Sequence, residues 1–156
     1  MKLEIVQNTK QLEDAYFVRR IVFVEEQNVP IEEELDQFDA EATHCVLYNE
    51  AKQPIGAGRV RFLNNYAKIE RISVLKEARK EGAGKLIMEA IEAFSSQKGI
   101  QDFKLNAQEH AIAFYKKLGY TIASEQFLDA GIPHYTMVKR LQDIPFYPNK
   151  KAFSLD

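Results

Sequence analysis

The stretch from residue 69 to residue 97 constrains the fold of this chain more than any other part of the sequence. It begins with a β-branched apolar run, passes through a basic turn with two glycines, and continues as an amphipathic segment. In that segment apolar side chains recur at the spacing of one helical face: Leu86, Ile87, Ala90, Ile91 and Phe94. The pattern predicts a strand, a glycine turn and a helix in direct succession.

The glycine turn has the features of an anion-binding site. Gly82 and Gly84 lack a Cβ, so a ligand can approach the backbone closely there. The first N–H groups of the helix that follows have no internal partner and carry partial positive charge. Arg79, Lys80 and Lys85 add formal positive charge. Strand, turn and helix N-terminus together therefore predict that an anion binds here.

The residues after the turn exclude two common phosphate-binding motifs. Leu86 stands where a Gly-Lys-Ser/Thr loop has its hydroxyl residue, and Ile87 stands where Gly-x-Gly-x-x-Gly needs its third glycine. The run from Arg79 to Gly84 instead resembles the Arg/Gln-x-x-Gly-x-Gly/Ala signature of the GNAT N-acetyltransferase superfamily, in which this turn holds the pyrophosphate of acetyl-coenzyme A (acetyl-CoA). The resemblance implies cofactor contacts from Arg79, Lys80, Glu81, Gly82, Ala83, Gly84 and Lys85. An ordinary surface turn that caps a helix stays open as the alternative.

The composition is that of one soluble globular domain. The chain has 156 residues, 46% hydrophobic and 28% charged, which is enough for a sizeable core. A formal net charge of −2 predicts neither a nucleic-acid partner nor a membrane partner. Cys45 is the only cysteine, so no disulfide can form within the chain. The N-terminus lacks a signal-peptide core and no apolar run approaches membrane-spanning length, so a cytoplasmic location is expected.

Periodicity and turn residues predict a single mixed α/β domain over residues 1–141 and a C-terminal tail at residues 142–156. Helices are predicted at residues 9–24, 31–35 and 109–118, and a long helix is predicted to follow the glycine turn and to end at Gly99. Strands are predicted at residues 3–7, 43–48, 55–62, 67–74, 102–106, 120–127 and 134–140. Gly56 and Gly58 indicate a bulge or a close neighbour in the third strand. A crossover helix should make strands 67–74 and 102–106 parallel.

This order of elements is the one that the GNAT fold uses, so the resemblance covers most of the chain. It implies an α/β (α+β) acyl-CoA N-acyltransferase fold: a mixed, mostly antiparallel sheet, helices on both faces and a splayed parallel strand pair. The pantetheine arm of CoA would lie in the gap between the splayed strands, paired with exposed backbone groups as a peptide pairs with a sheet edge. By resemblance those groups belong to Ile72, Ser73 and Val74.

A second block, residues 107–120, resembles the family pattern Asn-x-x-Ala-x-x-Phe/Leu-Tyr-x-x-x-Gly-Phe/Tyr. Gln108 replaces the usual asparagine, and a glutamine can make similar amide hydrogen bonds. The resemblance makes Gln108, Phe114 and Tyr115 cofactor contacts. It also makes Tyr115 the donor of a proton to the departing thiolate. The alternative is a tyrosine that only packs in the core.

A third block, residues 19–30 with the acids that follow, resembles the ElaA/YjcF-like bacterial group of the superfamily, as does the turn at residues 131–134. Members of that group mostly lack an assigned acceptor. Eight acids and no Lys or Arg lie between Glu25 and Glu41, where GNAT enzymes commonly build the rim of the acceptor site. Their field would attract cationic amines. A solvated acidic surface is the alternative.

Acetyl transfer to an amine needs a base that takes the proton of the ammonium group. Glu70 is the first candidate, because glutamates on this strand serve that role in several GNAT enzymes, although the usual position aligns nearer Lys68. Its alternative is an ion pair with a cross-strand arginine, Arg59 or Arg61. His134 is the second candidate, and its alternative is a hydrogen-bonded structural histidine.

No ligand spacing of the usual zinc kind is present, so no metal is expected. The combined interpretation is an N-acetyltransferase that passes the acetyl group of acetyl-CoA directly to a primary amine of a small molecule or peptide. The N–H of Val74 would hold the developing oxyanion. A non-catalytic acyl-CoA-binding or sensing domain is the alternative, and a homodimer is left open.

Overall fold

The computed structural model describes residues 1–141, and the predicted C-terminal tail, residues 142–156, lies outside them. Within the described residues one sheet contains β1 (Lys2–Ile5), β2 (Thr43–Tyr48), β3 (Pro54–Leu63), β4 (Tyr66–Val74), β5 (Asp102–Gln108), β6 (Thr121–Ile122), β7 (Phe127–Asp129) and β8 (Ile132–Arg140). The helices are α1 (Thr9–Arg19), its continuation as a π-helix (Arg20–Glu26), α2 (Ile31–Glu34), α3 (Ala83–Gln97) and α4 (Ile112–Lys117). Single 3-10 turns lie at Lys76–Ala78 and Glu109–Ala111.

The strand order is β1-β2-β3-β4-β5-β8-β6, and β7 also pairs with β8. Among these described strands every pair is antiparallel except β4 and β5. The crossover through α3 makes that pair parallel. The predicted mixed, mostly antiparallel sheet with one parallel pair is therefore confirmed.

Helices cover both faces of the sheet. Successive side chains of a strand point to opposite faces, so a strand with consecutive apolar residues needs a packing partner on each face. On β2, Cys45 and Leu47 pack in the core that also contains Ile87 and Ile91 of α3. Val46, which lies between them, packs in the core under α1. Each fully buried aliphatic side chain contributes roughly 1.5–3 kcal/mol relative to an exposed one. In residues 1–141 no helix is both long and apolar enough to cross a membrane.

A bulge interrupts the pairing of β3 with β4. Ala57 pairs with Ser73 and Arg59 pairs with Glu70, so Gly58 alone stands opposite two residues of β4. A Cβ at Gly58 would lie 2.8 Å from the Cδ1 atom of Ile72, so a larger residue would require the surrounding side chains to shift. The close neighbour that the glycines of β3 indicated is present, and the extra residue of this bulge lies on β4, opposite Gly58.

The two parallel strands separate partway along their length. Their paired residues run from Tyr66–Asp102 to Ile69–Leu105. Beyond that point β4 continues to Val74 and β5 continues to Gln108 without pairing with each other. The predicted splay is therefore present, and it opens toward the glycine turn.

Two predicted elements differ from the structure. The first helix, predicted at residues 9–24, is α-helical only to Arg19 and continues as a π-helix to Glu26. The predicted continuous strand 120–127 is wrong: this part of the chain pairs with β8 only in β6 and β7, and the ladder is interrupted between them. There the hydroxyl of Ser124 accepts the N–H of Thr136 at 2.8 Å, in place of a backbone carbonyl.

Candidate active site

A cavity of about 550 Å³ occupies the gap between β4 and β5. Predicted site residues that line it are Glu70, Ile72, Ser73, Val74, Arg79, Gln108, Tyr115 and His134. Lining residues that were not predicted as site residues include Phe23, Gln27, Glu33, Lys68, Arg71, Asn106 and Asp129. Phe23 and Gln27 lie in the 19–30 block and Glu33 in the acidic segment that the sequence singled out, and Lys68 stands where the family's base aligns. No local pattern marks Arg71, Asn106 or Asp129. The turn residues 80–85 and Phe114 do not line this cavity; they lie beside it at the start of α3.

The free edge of β4 faces the cavity. The N–H of Leu75 donates to the carbonyl of Ile55 at 2.9 Å, so Leu75 and Ser73 direct their backbone groups toward β3. Val74 and Ile72 therefore direct theirs away from β3 and toward the gap. The register favours Ile72 and Val74 for pairing with a ligand, whereas the sequence predicted backbone contacts from Ser73 as well.

The glycine turn leaves the N-terminus of α3 open. Gly82 precedes the helix at a φ of +85°, a left-handed conformation that favours glycine. The first intrahelical bond runs from the N–H of Leu86 to the carbonyl of Gly82 at 3.0 Å. The N–H groups of Ala83, Gly84 and Lys85 therefore have no acceptor inside the helix. A Cβ at Gly82 would meet no heavy atom within 4 Å, so the turn is open on that side.

Arg79 connects the turn to two other elements. Its Nε donates to the carbonyl of Val74 at 2.9 Å, and its two terminal nitrogens each donate to a carboxylate oxygen of Glu26 at 2.7 Å. The hydrogen bonds from Arg79 lower the pKa of Glu26 below its ordinary value. The sequence predicted that Arg79 contacts an anionic ligand. In the structure its guanidinium is already paired with the carboxylate of Glu26.

Gln108 bridges the cavity from the end of β5. Its amide donates to the side-chain carbonyl of Gln27 at 2.7 Å, and the Nε2 atom of His110 lies 2.6 Å from its Oε1 atom. Gln27 follows the π-helix directly. The residue that departs from the family pattern therefore joins β5 to the segment after α1.

Tyr115 lies at the floor of the cavity and is 9% exposed. Its ring contacts Phe114 edge to face at a centroid distance of 5.0 Å and Tyr120 at 6.0 Å. Phe114 in turn packs against the glycine turn, since a Cβ at Gly84 would lie 3.0 Å from its ring. Burial raises the pKa of Tyr115 well above its usual range, so the phenol stays protonated at neutral pH.

Glu70 forms the ion pairs that were its structural alternative. Arg61 donates to its carboxylate at 2.6 Å, and a terminal nitrogen of Arg59 lies 3.2 Å from the same oxygen. Burial raises the pKa of Glu70, but the hydrogen bond from Arg61 and the charges of both arginines outweigh it and lower the pKa below its ordinary value. A carboxylate held in this way is a weak proton acceptor.

His134 is buried in the wall of the cavity and stacks on Phe127 at a centroid distance of 5.9 Å. Its Nδ1 atom lies 2.7 Å from the carbonyl of Ile132. Because a carbonyl only accepts, that distance assigns the proton to Nδ1 and leaves the lone pair on Nε2. This is the tautomer that a general base requires.

The acidic segment is largely neutralised by arginines from other elements. The ion pairs are Glu34 with Arg19 and Arg71, Asp36 with Arg59 and Arg71, and Asp39 with Arg19 and Arg59. The sequence interpretation missed these pairs because the partners are 15 to 37 residues apart. Glu26 pairs with Arg79, and Glu25 pairs with Arg20 at 3.5 Å, so five of the eight acids have a basic partner.

Neither His44 nor Cys45 belongs to a metal site within the described residues, which contain no group of three or more His, Cys, Asp or Glu side chains suited to hold an ion. The Nε2 atom of His44 lies 2.8 Å from the carbonyl of Asp39. Burial raises the pKa of the Cys45 thiol to about 12, so it carries no thiolate at neutral pH.

Known proteins resemble this chain in sequence and in fold. The acetyltransferase (GNAT) domain profile matches residues 12–141. The uncharacterized N-acetyltransferase YjcF of Bacillus subtilis is 51% identical over 140 residues, which span 89% of this chain and 99% of that protein. Escherichia coli ElaA superposes with a TM-score of 0.79 at 23% identity, over 90% of this chain and 100% of that one. An aminoglycoside 6′-N-acetyltransferase complexed with coenzyme A gives 0.73 at 16% identity, over 94% of this chain and 100% of that one.

A splayed parallel strand pair beside an open helix N-terminus, with this domain profile, defines an acyltransferase. The chain belongs to the GNAT N-acetyltransferase family. Its predicted resemblance to the ElaA/YjcF-like group is confirmed.

Proposed function

We propose that this enzyme transfers the acetyl group of acetyl-CoA to a primary amine by direct attack of the amine on the thioester. The observation that carries the proposal is the free edge of β4, where Ile72 and Val74 direct backbone groups into a cavity of about 550 Å³. A pantetheine arm contains amides that pair with such an edge. A pyrophosphate is an anion that suits the open N-terminus of α3.

The residues present fit acetyl-CoA. The turn beside Gly82 is open, and the N–H groups at the start of α3 lack helical acceptors. Gln108 offers amide groups at the end of β5, as the asparagine of the family pattern would. When bound, acetyl-CoA supplies the activated acetyl group. An aminoglycoside 6′-N-acetyltransferase with the same fold has been crystallised in a complex with coenzyme A.

Two groups of this chain assist the bond changes in the proposed reaction. The N–H of Val74 donates to the thioester oxygen as negative charge develops there. The phenol of Tyr115, kept protonated by its burial, donates to the sulfur as the C–S bond breaks. Both interactions strengthen in the transition state, which is where they accelerate the reaction.

Of the two predicted bases, His134 is the better supported. Its Nε2 carries a lone pair, while the carboxylate of Glu70 is already held by Arg61 and Arg59. We expect His134→Gln to lower kcat/KM by about 10²-fold at neutral pH, the usual contribution of a positioned base. Glu70→Gln should change it much less. The reverse order of the two effects would assign the base to Glu70.

We expect a cationic acceptor, attracted by fewer acids than the sequence suggested. Glu33 and Asp129 line the cavity, and neither carboxylate has an arginine partner within residues 1–141. Polyamine-like or lysine-like amines should therefore be better substrates than acidic amino acids, and added salt should raise their KM. Glu33→Gln should raise the KM of a diamine, while Glu41→Gln, from the same acidic segment, serves as the matched control.

Thiol release from acetyl-CoA in a panel of amines tests the proposal. Release that depends on one class of amine supports it. If calorimetry shows that acetyl-CoA binds while no amine triggers release, the protein is instead a non-catalytic acyl-CoA-binding or sensing domain.

A further inference from the structure

The bulge in β4 places an arginine where such a bulge favours glycine. Arg71 and Ile72 together stand opposite Gly58, and Arg71 has a φ of +58°. A left-handed residue with a side chain is strained, and it persists only where its surroundings hold it. Arg71 also lines the cavity, and the next residue, Ile72, belongs to the free edge of the strand.

The polar contacts of the Arg71 side chain are with α2 and with Asp36, which lies two residues after it. Its Nε donates to the carbonyl of Glu34 at 3.2 Å and lies 3.1 Å from the carboxylate of the same residue. Its Nη2 donates to the carbonyl of Glu33 at 3.3 Å and to the carboxylate of Asp36 at 3.1 Å. One guanidinium thus contacts both backbone and side-chain oxygens of a single short segment.

Helix α2 depends on contacts with arginines in addition to its packing against the π-helix that continues α1. It is a single turn of four residues, too short to be stable by itself. The apolar residues at its two ends bury little surface, since Ile31, the first residue, is 46% exposed and Leu35, which follows the helix, is 41% exposed. Glu34 is the buried residue of the helix, and its partners are Arg71 from β4 and Arg19 from α1.

We infer that Arg71 is a positioning residue that fixes α2, and with it the acceptor side of the cavity, to the strand that faces the cofactor. The inference rests on the proposed function for its kinetic consequence. The buried pair between Arg19 and Glu34 secures α2 to the helical layer, whereas Arg71 sets its distance from Ile72 and Val74. Loss of the Arg71 side chain should therefore loosen the acceptor wall and leave the cofactor strand in place.

Arg71→Gly tests this inference, because glycine adopts the same φ without strain and the substitution removes the whole arginine side chain with its guanidinium. Hydrogen exchange should show amides of residues 31–36 exchanging at least about tenfold faster in the variant, as expected for a locally freed segment. The KM for the amine should rise about tenfold with a small change in kcat, the signature of lost substrate binding. The Kd for acetyl-CoA should stay within about threefold of the wild-type value.

Two further variants make the test specific. Arg71→Lys keeps the charge but lacks the planar fork of donors, so its exchange and KM should fall between wild type and Arg71→Gly. Arg140→Ala removes an arginine that pairs with Asp102 at 2.6 Å at the other end of the sheet, and neither quantity should change. If Arg71→Gly does not fold, Arg71→Lys decides through the same measurements.

Unchanged exchange at residues 31–36 together with an unchanged amine KM would overturn the inference. A loss of acetyl-CoA affinity equal to the rise in amine KM would also overturn it, because Arg71 would then act on the cofactor strand. If the wild-type protein transfers no acetyl group to any amine, the proposed function fails, and the exchange arm still decides whether Arg71 fixes α2.

Discussion

Glu26 holds Arg79 through two hydrogen bonds of 2.7 Å, one to each terminal nitrogen of the guanidinium. Glu26 ends the π-helix and Arg79 begins the glycine turn, so the pair joins two sides of the cavity. The pyrophosphate of acetyl-CoA would compete with this carboxylate for the guanidinium. The ion pair therefore opposes cofactor binding by a small amount.

Glu26→Gln should tighten the binding of acetyl-CoA. The side chains of the pair are 36% and 38% exposed, so its strength is at most about 1 kcal/mol, which limits the gain to about fivefold in Kd. Isothermal titration calorimetry measures it. Glu25→Gln is the matched control, because Glu25 lies in the same π-helix and pairs only with Arg20 at 3.5 Å. Weaker binding in Glu26→Gln would mean that the pair organises the site instead.

Gly82→Asp should weaken the binding of acetyl-CoA at least about tenfold, or 1.4 kcal/mol. The added carboxylate would repel the pyrophosphate at the N-terminus of α3, and no heavy atom near Gly82 obstructs the side chain itself. Gly82→Asn has nearly the same shape, tolerates a positive φ and carries no charge. Its affinity should therefore stay closer to wild type. Equal affinity in wild type and a folded Gly82→Asp variant would refute the assignment of the turn.

Tyr115→Phe should lower kcat by about 10²-fold, because general-acid assistance to the leaving thiolate typically contributes about 10²–10⁴-fold. The substitution keeps the ring contacts with Phe114 and Tyr120 and removes only the phenol oxygen. The Kd for acetyl-CoA should change by less than about threefold, since the lost interaction forms mainly in the transition state. A kcat near wild type, with chemistry shown to be rate-limiting, would make Tyr115 a packing residue.

The buried ion pairs predict how stability depends on pH. Burial raises the pKa of Asp39, but hydrogen bonds from Arg19, from the backbone of Asp36 and from Arg59 lower it far below its ordinary value. The pKa values of Asp36 and Glu70 are lowered as well. A carboxylate with a lowered folded-state pKa stabilises the fold above its unfolded pKa and loses that effect as pH falls. The contribution of these carboxylates to the free energy of unfolding should thus be level near neutral pH and decline below about pH 4.

Asp39→Asn isolates this effect. It should destabilise the fold by about 3–5 kcal/mol at pH 7, because the buried guanidinium groups of Arg19 and Arg59 lose a charged partner. It should also flatten the decline below pH 4. Urea denaturation measures both, with Asp102→Asn as the control for an exposed pair. A loss under about 1 kcal/mol in Asp39→Asn would show that the pairs contribute little.

Local signals in the sequence predicted most of the elements and the parallel strand pair, and the resemblance to the GNAT family implied the splay between those two strands. The apolar face of α3 and the glycines on either side of it fixed a crossover, and a crossover requires that β4 and β5 be parallel. The cross-strand partners of Glu70 were predictable because neighbouring strands in a meander bring Arg59 opposite it and Arg61 diagonally beside it. In these cases the relevant residues are close in sequence or follow from the order of the strands.

The ionic contacts around α2 could not be predicted in the same way. Arg19, Arg59 and Arg71 come from three different elements, and their acidic partners looked like a solvated run of like charge. Only the packing of α1, β3 and β4 against that run shows that most of its acids are paired. The same is true of the pair between Glu26 and Arg79, whose members are 53 residues apart.

A single-turnover experiment tests direct transfer from acetyl-CoA bound between β4 and β5 most directly. The enzyme is mixed with an equal amount of acetyl-CoA, its intact mass is recorded, and an accepted amine is then added while free thiol and acetylated amine are quantified. We predict an unmodified protein mass before the amine is added, followed by thiol and acetylated amine in equal amounts. An acetylated protein that forms before the amine is added and decays as the product appears would contradict direct transfer.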